Sequence, residues 1–396
     1  MELDYKIQTY AWGKKGADSL VATLHANVNK NFKIENNESY AELWLGTHVN
    51  GPSVIKGSDE LLSDFLNKHP ECIGSNHVRK MFGTELPFLF KVLSIDKALS
   101  VQVHPSKKHA EELHKKQPDI YKDPNHKPEL AIALTPFEAL CGFRPLPDVV
   151  YYLKHIPELR AVTGNIAEKH KTNGIQMVKD AFKAVLEAPK NVIEEQLVLL
   201  LRRFKTLDKK EREFQYADVI RALYSQYPND VGCFMVYFLN YIKLKPFEAI
   251  YLGANLPHAY LYGDCVECMA CSDNVVRAGL TPKYIDVKTL CAMVNYHGDK
   301  AENMIFTPEQ EDKECQIFKP PVPDFAIVQI KVPKSLKTYS TKKRTTGSTL
   351  LVISGEAKSR DMPLVAGTAL FVPANDEFII TEIAEDLLMY QGLANI

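Results

Sequence analysis

The chain has 396 residues, of which 45% are hydrophobic and 24% charged, and its formal net charge at pH 7 is −1. These values are typical of a globular protein with enough length for two or three domains. A net charge so close to zero argues against nucleic acid as a partner. No apolar run reaches the roughly 18 residues of a membrane span, so we expect no membrane partner.

The N-terminus and the cysteines indicate the compartment. The first residues lack the apolar core of a secretory signal, so we expect a cytoplasmic protein whose eight cysteines are reduced thiols. The spacing of Cys265, Cys268 and Cys271 raises a redox or iron–sulfur site as an alternative. On an extended strand Cys265 and Cys268 point to opposite faces, so buried free thiols fit better.

The first hundred residues mix short strands and turns. Trp12 and Trp44 each lie near a glycine, which is typical of an aromatic core at a turn, with a flat wall facing a sugar as the alternative. Helical spacing predicts a helix over 61–66, and an apolar run predicts a buried strand over 86–93. That strand carries Lys91, and a buried lysine needs a partner or an anionic ligand.

Residues 99–104 alternate strictly between apolar and polar side chains. On a strand, Ser100, Gln102 and His104 therefore share one face. Pro105 disfavours helical geometry at His104, so the strand should continue through this histidine. A polar face of this kind suits a barrel lined with ligand groups.

A second proline acts in the same way on the next segment. Pro128 keeps Lys127 extended, so Lys127 and Glu129 should project to the same side of a strand that runs on to Leu134. These two short stretches thus bring an amide, an imidazole, a carboxylate and an ammonium group toward a common place. We interpret them as most of a metal site with a charged neighbour.

The helical part of the chain gathers no chemical groups. Ser106 is expected to cap a helix that continues toward Lys116. Helical periodicity then dominates from 147 to about 241, with a charged connector over 205–213. Amphipathic helices are predicted over 175–186, 192–204 and 216–227.

Strand patterns return at 247–252, and the following residues supply a second polar cluster. His258, Tyr260 and Tyr262 share one strand face, and Pro257 places the histidine at the mouth of that strand. A further strand over 265–269 and a loop over 273–279 complete the cluster. Beyond about residue 310 the chain holds no histidine, and its short strands predict a β-sandwich or jelly roll. These strands are expected at 325–332, 349–353, 369–372, 377–382 and 387–390.

A set of candidate metal ligands follows from these placements, and it leaves the identity of the metal open. His104, Glu129 and His258 with the amide of Gln102 offer nitrogen and oxygen ligands that suit catalytic zinc. Two histidines and one carboxylate equally describe a non-haem iron oxygenase. Separately satisfied polar groups on strands are the remaining alternative.

Several long motifs resemble type I mannose-6-phosphate isomerase (phosphomannose isomerase), of the cupin superfamily. They are Tyr-Ala-Trp-Gly at 10–13, Glu-Leu-Trp-Leu-Gly-Thr-His at 42–48, Ser-Val-Gln-Val-His-Pro at 100–105, Asn-His-Lys-Pro-Glu-Leu at 125–130 and Ser-Asp-Asn-Val-Val-Arg-Ala-Gly-Leu at 272–280. The resemblance covers the chain to about residue 296.

The resemblance implies a mainly β protein with an α insertion. Expected are a metal-binding cupin domain over 1–146 and 245–310, a helical insertion over 147–244, and a second, jelly-roll-like β domain over 311–396. The implied enzyme is a zinc-dependent aldose–ketose isomerase that interconverts D-mannose 6-phosphate and D-fructose 6-phosphate through an enediol and feeds GDP-mannose synthesis. One zinc ion per chain and a monomer are expected.

The resemblance also assigns residues. Zinc falls to Gln102, His104, Glu129 and His258, and the active-site arginine is Arg277. Pocket positions with proposed proton-transfer or substrate roles are Lys127, Glu267, Lys283, Asp273 and His126. Expected substrate contacts are Lys91 and Ser100 for the phosphate, together with Trp12 and Tyr260.

Two departures and one open question remain. Val103 replaces the usual alanine, but it faces away from the ligands, and Leu256 replaces the glutamate usual before the Pro-His pair, which removes a charge near the metal. Arginine stays protonated and is a poor base, so Glu267 and Lys127 both remain candidate bases. An iron-dependent cupin oxygenase and a non-catalytic sugar-binding cupin are the rival functions.

Overall fold

The computed structural model describes residues 1–170 and 174–396. The chain is mainly β with an inserted block of helices, which confirms the predicted fold class. Residues 171–173 of the predicted helical insertion lie outside the described residues. None of the helices described is both long enough and apolar enough to cross a membrane.

In chain order, the strands are β1 Glu2–Asp4, β2 Lys6–Gln8, β3 Lys14–Lys15, β4 Ser39–Tyr40, β5 Glu42–Gly46, β6 Val54–Ile55, β7 Phe88–Ile95, β8 Val101–Val103, β9 Glu129–Ala133, β10 Phe137–Phe143, β11 Leu239–Leu244, β12 Ala249–Leu252, β13 His258–Ala270, β14 Val276–Gly279, β15 Ile305–Phe306, β16 Glu309–Gln310, β17 Cys315–Phe318, β18 Ala326–Val332, β19 Thr338–Ser340, β20 Ser348–Ser354, β21 Ala357–Ser359, β22 Met362–Leu364, β23 Ala369–Val372, β24 Ile379–Thr381 and β25 Leu387–Leu393. The helices are α1 Leu20–Val28, α2 Leu62–Lys68, α3 Asn76–Phe82, α4 Lys107–Lys116, α5 Leu146–His155, α6 Pro157–Val162, α7 Ile166–Lys169, α8 Ile175–Glu187, α9 Lys190–Arg203, α10 Lys209–Phe214, α11 Ala217–Gln226 and α12 Val287–Met293.

Most predicted elements are present, with two corrections. The Ser106 hydroxyl accepts a hydrogen bond from the backbone N–H of His109 and caps α4 as expected. The prediction of a charged connector over 205–213 is wrong. Asp208 and Glu211 form a capping box there, and helix α10 begins at Lys209. The strand predicted over 265–269 is the second half of β13, which starts at His258.

Strand β13 is the centre of the larger sheet. Its first half pairs with β10 and β8, and its second half pairs antiparallel with both β7 and β9. The change occurs at Gly263, whose φ is +115° and where a Cβ would lie 2.6 Å from the carbonyl oxygen of Pro136. Only glycine tolerates this close approach and this backbone conformation, so Gly263 lets one strand serve two parts of the sheet.

The second large sheet has the order β16-β17-β18-β25-β20-β23-β1-β6 and therefore includes strands from the N-terminus. Alternating residues of β20 point to opposite cores: Leu350 packs in the cluster with the smaller β19-β24-β21-β22 sheet, and Leu351 packs with β7. Burial on both faces explains why these strands read as continuous apolar runs. The two predicted β domains thus share one core, and strand β1 of the first predicted domain pairs in the sheet of the second.

The helical block leads back into the site-bearing sheet. Strand β11 already pairs with β10 from Leu239 onward, before the boundary predicted at 244. In the loop that follows α11, the carboxylate of Asp230 accepts hydrogen bonds from the backbone N–H groups of Leu280, at 2.6 Å, and Thr281, at 3.1 Å. The helical block therefore holds the end of β14. The domain boundaries stay a prediction.

We expect the core between the two large sheets to dominate stability. Phe371 of β23 is fully buried there, so Phe371→Ala should lower the free energy of unfolding by about 3–5 kcal/mol, because it leaves a cavity. Chemical denaturation measures this change. Ile379→Ala, at a side chain that is 44% exposed, is the control and should change it by no more than about 0.5 kcal/mol. Equal effects of the two substitutions would contradict this placement of the core.

Candidate active site

Three side chains predicted as ligands meet at one buried point. The Glu129 carboxylate lies with Oε1 at 3.4 Å from His104 Nε2 and with Oε2 at 3.3 Å from His258 Nε2. One potential ligand atom from each of the three residues lies within 4.8 Å of the others. The distances are those of a group that can hold one ion among its members.

The unsatisfied atoms of this group test whether a metal fits. Nε2 of both histidines and Oε2 of Glu129 are buried without a hydrogen-bond partner. Buried polar atoms are rarely left this way, because each costs about 1–3 kcal/mol. Two imidazole nitrogens and a carboxylate are a donor set that zinc accepts readily. The residues present therefore fit a zinc ion.

Backbone carbonyls set the tautomers of the two histidines. His104 Nδ1 lies 2.7 Å from the carbonyl oxygen of Asn274, and His258 Nδ1 lies 2.9 Å from that of Leu256. A carbonyl oxygen can only accept, so Nδ1 of each ring carries the proton and Nε2 keeps its lone pair for a metal. Because Leu256 contributes its backbone here, the loss of the glutamate side chain leaves this contact in place.

The protonation states around the ligands also favour metal binding. Burial lowers the pKa of His104 to about 4, so the ring is neutral near pH 7. Burial alone would raise the pKa of Glu129, but the ammonium of Lys127 opposes this effect, and the pKa of Glu129 lies well below its usual range. Lys127 Nζ lies 3.3 Å from Glu129 Oε1. As Pro128 predicts, the two side chains lie on the same side.

Gln102 lies beside this group. It is the register partner of His258 on β13 and of Arg277 on β14. It also lines the cavity described below. Its role as a ligand stays a prediction.

A cavity of about 360 Å³ reaches the metal-binding group at Glu129, while His104 and His258 lie buried behind its wall. Its lining combines apolar and aromatic side chains with charged ones. Lining residues predicted from the sequence are Trp12, Lys91, Gln102, Lys127, Glu129, Tyr260, Glu267, Asp273, Arg277 and Lys283. Lining residues without an assigned role are Tyr10, Glu42, Trp44, His48, Leu89, Leu93, Leu99, Met269 and Val275.

Lys91 is held between two carboxylates on the cavity wall. Its Nζ lies 3.3 Å from Glu42 Oε2 and 3.2 Å from Glu267 Oε2. Burial acts to lower the pKa of Lys91, but Glu42 and Glu267 outweigh it and raise this pKa, so the lysine stays charged. The N–H of Trp44 donates to Glu42, and Tyr260 Oη donates to Glu267 Oε1 at 3.0 Å. The sequence prediction that Lys91 needs a partner is confirmed, and the partners are carboxylates of this chain.

The pKa of Glu267 is shifted in the opposite direction to that of Glu129. Burial raises the pKa of Glu267 against the opposing ammonium of Lys91, and the carboxylates of Glu129 and Glu42 act in the same direction as burial. A raised carboxyl pKa brings the group closer to the working range of a proton carrier near neutral pH.

The cations at the cavity mouth are not neutralised in this way. Among the described residues, Arg277 and Lys283 have no carboxylate within ion-pair distance. Arg277 is half-buried on β14, and Lys283 is exposed at the rim. Asp273, also exposed, lies 3.8 Å from His48 Nε2 across the mouth.

The structure does not bring two predicted residues to the cavity. His126 Nε2 lies 3.0 Å from Asp324 Oδ2 and is turned toward the C-terminal sheet. Ser100 precedes β8, which begins only at Val101, and Leu99 lines the cavity in its place. The predicted alternation therefore holds only from Val101 onward. Tyr262, predicted on the face of His258, is 47% exposed because β13 is irregular where it pairs with β10.

Residues that sequence reasoning missed include Glu42 and His48. Both belong to the Glu-Leu-Trp-Leu-Gly-Thr-His motif at 42–48, so the signal was available, but no spacing rule connects β5 with the distant Lys91.

The redox alternative is not supported: Cys265 and Cys268 pack in different cores on opposite faces of β13. The metal-type cluster found among the described residues is His104, Glu129 and His258.

Comparisons with known proteins agree with this geometry. The family model for phosphomannose isomerase type I, catalytic domain, matches residues 1–146, and that for the helical insertion domain of the same family matches residues 159–239. Mannose-6-phosphate isomerase of Mus musculus is 42% identical over 98% of this chain and 96% of its own.

Solved structures give the same answer. A variant of phosphomannose isomerase from Salmonella typhimurium superimposes with a TM-score of 0.86 at 31% identity, covering 100% of this chain and 99% of its own. A zinc-bound mannose 6-phosphate isomerase gives a TM-score of 0.85 at 31% identity with the same coverage. Nearly full-length relatives, the two domain matches and the buried His104–Glu129–His258 group together show that this chain belongs to the type I phosphomannose isomerase family.

Proposed function

We propose that this chain is a zinc-dependent isomerase that interconverts D-mannose 6-phosphate and D-fructose 6-phosphate. The observation that carries the proposal is the convergence of His104, Glu129 and His258 on one point, next to a cavity that Glu129 lines together with other charged groups. The mannose 6-phosphate formed in this reaction feeds the synthesis of GDP-mannose, the activated form of mannose. The protein is proposed to act as a monomer in the cytoplasm, and its eight free thiols support that location.

The residues divide between holding a metal and handling the substrate. His104, Glu129 and His258, with Gln102 beside them, would hold zinc. When bound, zinc supplies Lewis-acid stabilisation of the charge that develops on the sugar oxygens. Lys127 pairs with Glu129 and fixes its orientation.

Glu267 is the group to which we assign proton transfer between C2 and C1 of the open-chain sugar. Its carboxylate is buried, its pKa is raised, and Tyr260 and Lys91 hold both oxygens in place. Lys127 is assigned no proton-transfer role, because its Nζ is engaged at 3.3 Å with Oε1 of Glu129.

Arg277 and Lys283, the cations without a carboxylate partner in the part of the chain that the structure describes, are assigned to binding the substrate. Arg277 stabilises negative charge on the enediol oxygens, because it is half-buried on the strand next to Gln102. Lys283, at the exposed rim, faces the phosphate. Lys91 is charge-balanced by Glu42 and Glu267, so we assign it to holding Glu267 rather than to the phosphate.

Activity should be measured in a coupled assay for fructose 6-phosphate formed from mannose 6-phosphate. We expect turnover that is lost with a chelator and restored by zinc. A protein that binds the sugar phosphate without converting it would be the sugar-binding cupin, and restoration by iron with oxygen consumption would identify the oxygenase.

Two substitutions should separate metal binding from substrate handling. His258→Ala should lose both bound zinc and turnover, because it removes a ligand. Arg277→Ala should keep its zinc and lower kcat by about 10²–10³-fold, the usual cost of losing one group that stabilises developing charge. Elemental analysis with steady-state kinetics measures both. Unchanged turnover in Arg277→Ala would remove this residue from the mechanism.

Glu267→Gln tests the assigned proton carrier. The amide keeps the size of the side chain but cannot take a proton, so exchange of the C2 hydrogen with solvent should fall by about 10²–10⁴-fold while zinc content is unchanged. The exchange can be followed by NMR in deuterium oxide. Normal exchange in the variant would transfer the role to Lys127.

A further inference from the structure

Two loops beside the cavity are interlocked next to the metal ligands. One loop spans 123–127 and leads into Glu129, and the other spans 271–275 and carries the carbonyl group of Asn274 that meets His104. The carboxylate of Asp123 is the junction between them. We refer to these contacts as the Asp123 clasp.

The Asp123 clasp uses both carboxylate oxygens. Oδ1 accepts from the hydroxyl of Ser272 at 2.8 Å, and Oδ2 accepts from the backbone N–H of Asp273 at 2.8 Å. Oδ1 also accepts from the backbone N–H of Asn125 at 2.9 Å, within its own loop. One side chain therefore contacts the facing loop at two consecutive residues, at the hydroxyl of Ser272 and at the backbone of Asp273.

Asn274 completes the clasp from the other side. Its buried Nδ2 donates to the carbonyl oxygens of Asp123, at 2.6 Å, and Asn125, at 2.9 Å. In return, Asn125 Nδ2 donates to the carbonyl oxygen of Cys271 at 2.8 Å. The position of the Asn274 backbone is thus set by the contacts of its own side chain and by those of residues 271–273 before it.

We infer that Asp123 is a positioning residue for the metal site, acting on His104 through the backbone carbonyl of Asn274. The carbonyl oxygen of Asn274 accepts a hydrogen bond from Nδ1 of His104, with 2.7 Å between the nitrogen and the oxygen. This contact orients the ring so that Nε2 faces Glu129. The same clasp tethers the loop that delivers Glu129. Asp123 therefore couples the segment that leads to Glu129 with the loop that orients His104, without itself lining the cavity, and this role rests on the proposed zinc site.

The test measures zinc retention in the full-length, zinc-loaded protein. Asp123→Asn keeps the shape of the side chain but replaces one acceptor oxygen with an NH₂ group, which cannot accept from both Ser272 and Asp273. We expect zinc affinity to fall by about 10–100-fold, the usual cost of losing an outer contact to a metal ligand. Zinc release to a chromogenic chelator and competition titration give the rate and the affinity.

Asp119→Asn is the matched control, because it makes the same change at an exposed turn nearby and should leave zinc release unaltered. Ser272→Ala removes a single contact of the clasp and should give a smaller loss in the same direction, which keeps the test decisive if Asp123→Asn does not fold. A second readout is the visible spectrum of the cobalt-substituted protein, which should change in Asp123→Asn because the geometry of the ligands changes.

The outcomes are distinct. Zinc release and a cobalt spectrum in Asp123→Asn that match the unaltered chain would overturn the positioning role and leave the proposed function standing. A lower unfolding temperature of the metal-free protein with unchanged zinc release would also overturn it, as a purely structural role. If the unaltered chain takes up no zinc, the proposed function fails and the inference with it.

Discussion

The buried carboxylate of Glu129 is the constraint on which the site depends. A carboxylate is costly to bury unless cations or hydrogen-bond donors surround it. Here the nearest groups are one ammonium, from Lys127, and two ring nitrogens, on His104 and His258, that carry no proton. The arrangement makes physical sense when a divalent cation occupies the point that all three ligands face.

The fold explains how distant residues reach that point. Glu129 and His258 each begin a strand, β9 and β13, and these strands are neighbours in the larger sheet. His104 directly follows β8, which pairs with both β13 and β14. The bend of β13 at Gly263 brings these pairings together around one cavity. The helical block contributes from outside, through the contact of Asp230 with the end of β14.

Much of this could be predicted from the sequence, because the signals were local. Pro105 and Pro128 predicted extended backbone at His104 and Lys127, and period-2 patterns marked the strands, although β8 ends at Val103, one residue before His104. The ligand group His104, Glu129 and His258 followed from these restraints together with the family resemblance. The helices predicted over 175–186 and 192–204 from their periodicity are present over 175–187 and 190–203.

What could not be predicted depends on pairings between distant strands. The ion pair between Glu42 and Lys91 requires β5 to lie beside β7, and no rule of sequence spacing gives that order. The entry of β1 into the C-terminal sheet and the contact of His126 with Asp324 are of the same kind. Ser100 was misplaced because alternation was extended beyond the actual start of β8.

X-ray absorption spectroscopy at the zinc edge of the purified, full-length protein tests the central claim most directly. A single zinc ion held by His104, Glu129 and His258 should show only nitrogen and oxygen neighbours at about 2.0–2.2 Å, with the outer-shell pattern of two imidazole rings. Sulfur neighbours near about 2.3 Å would place the metal on cysteines instead and contradict the account.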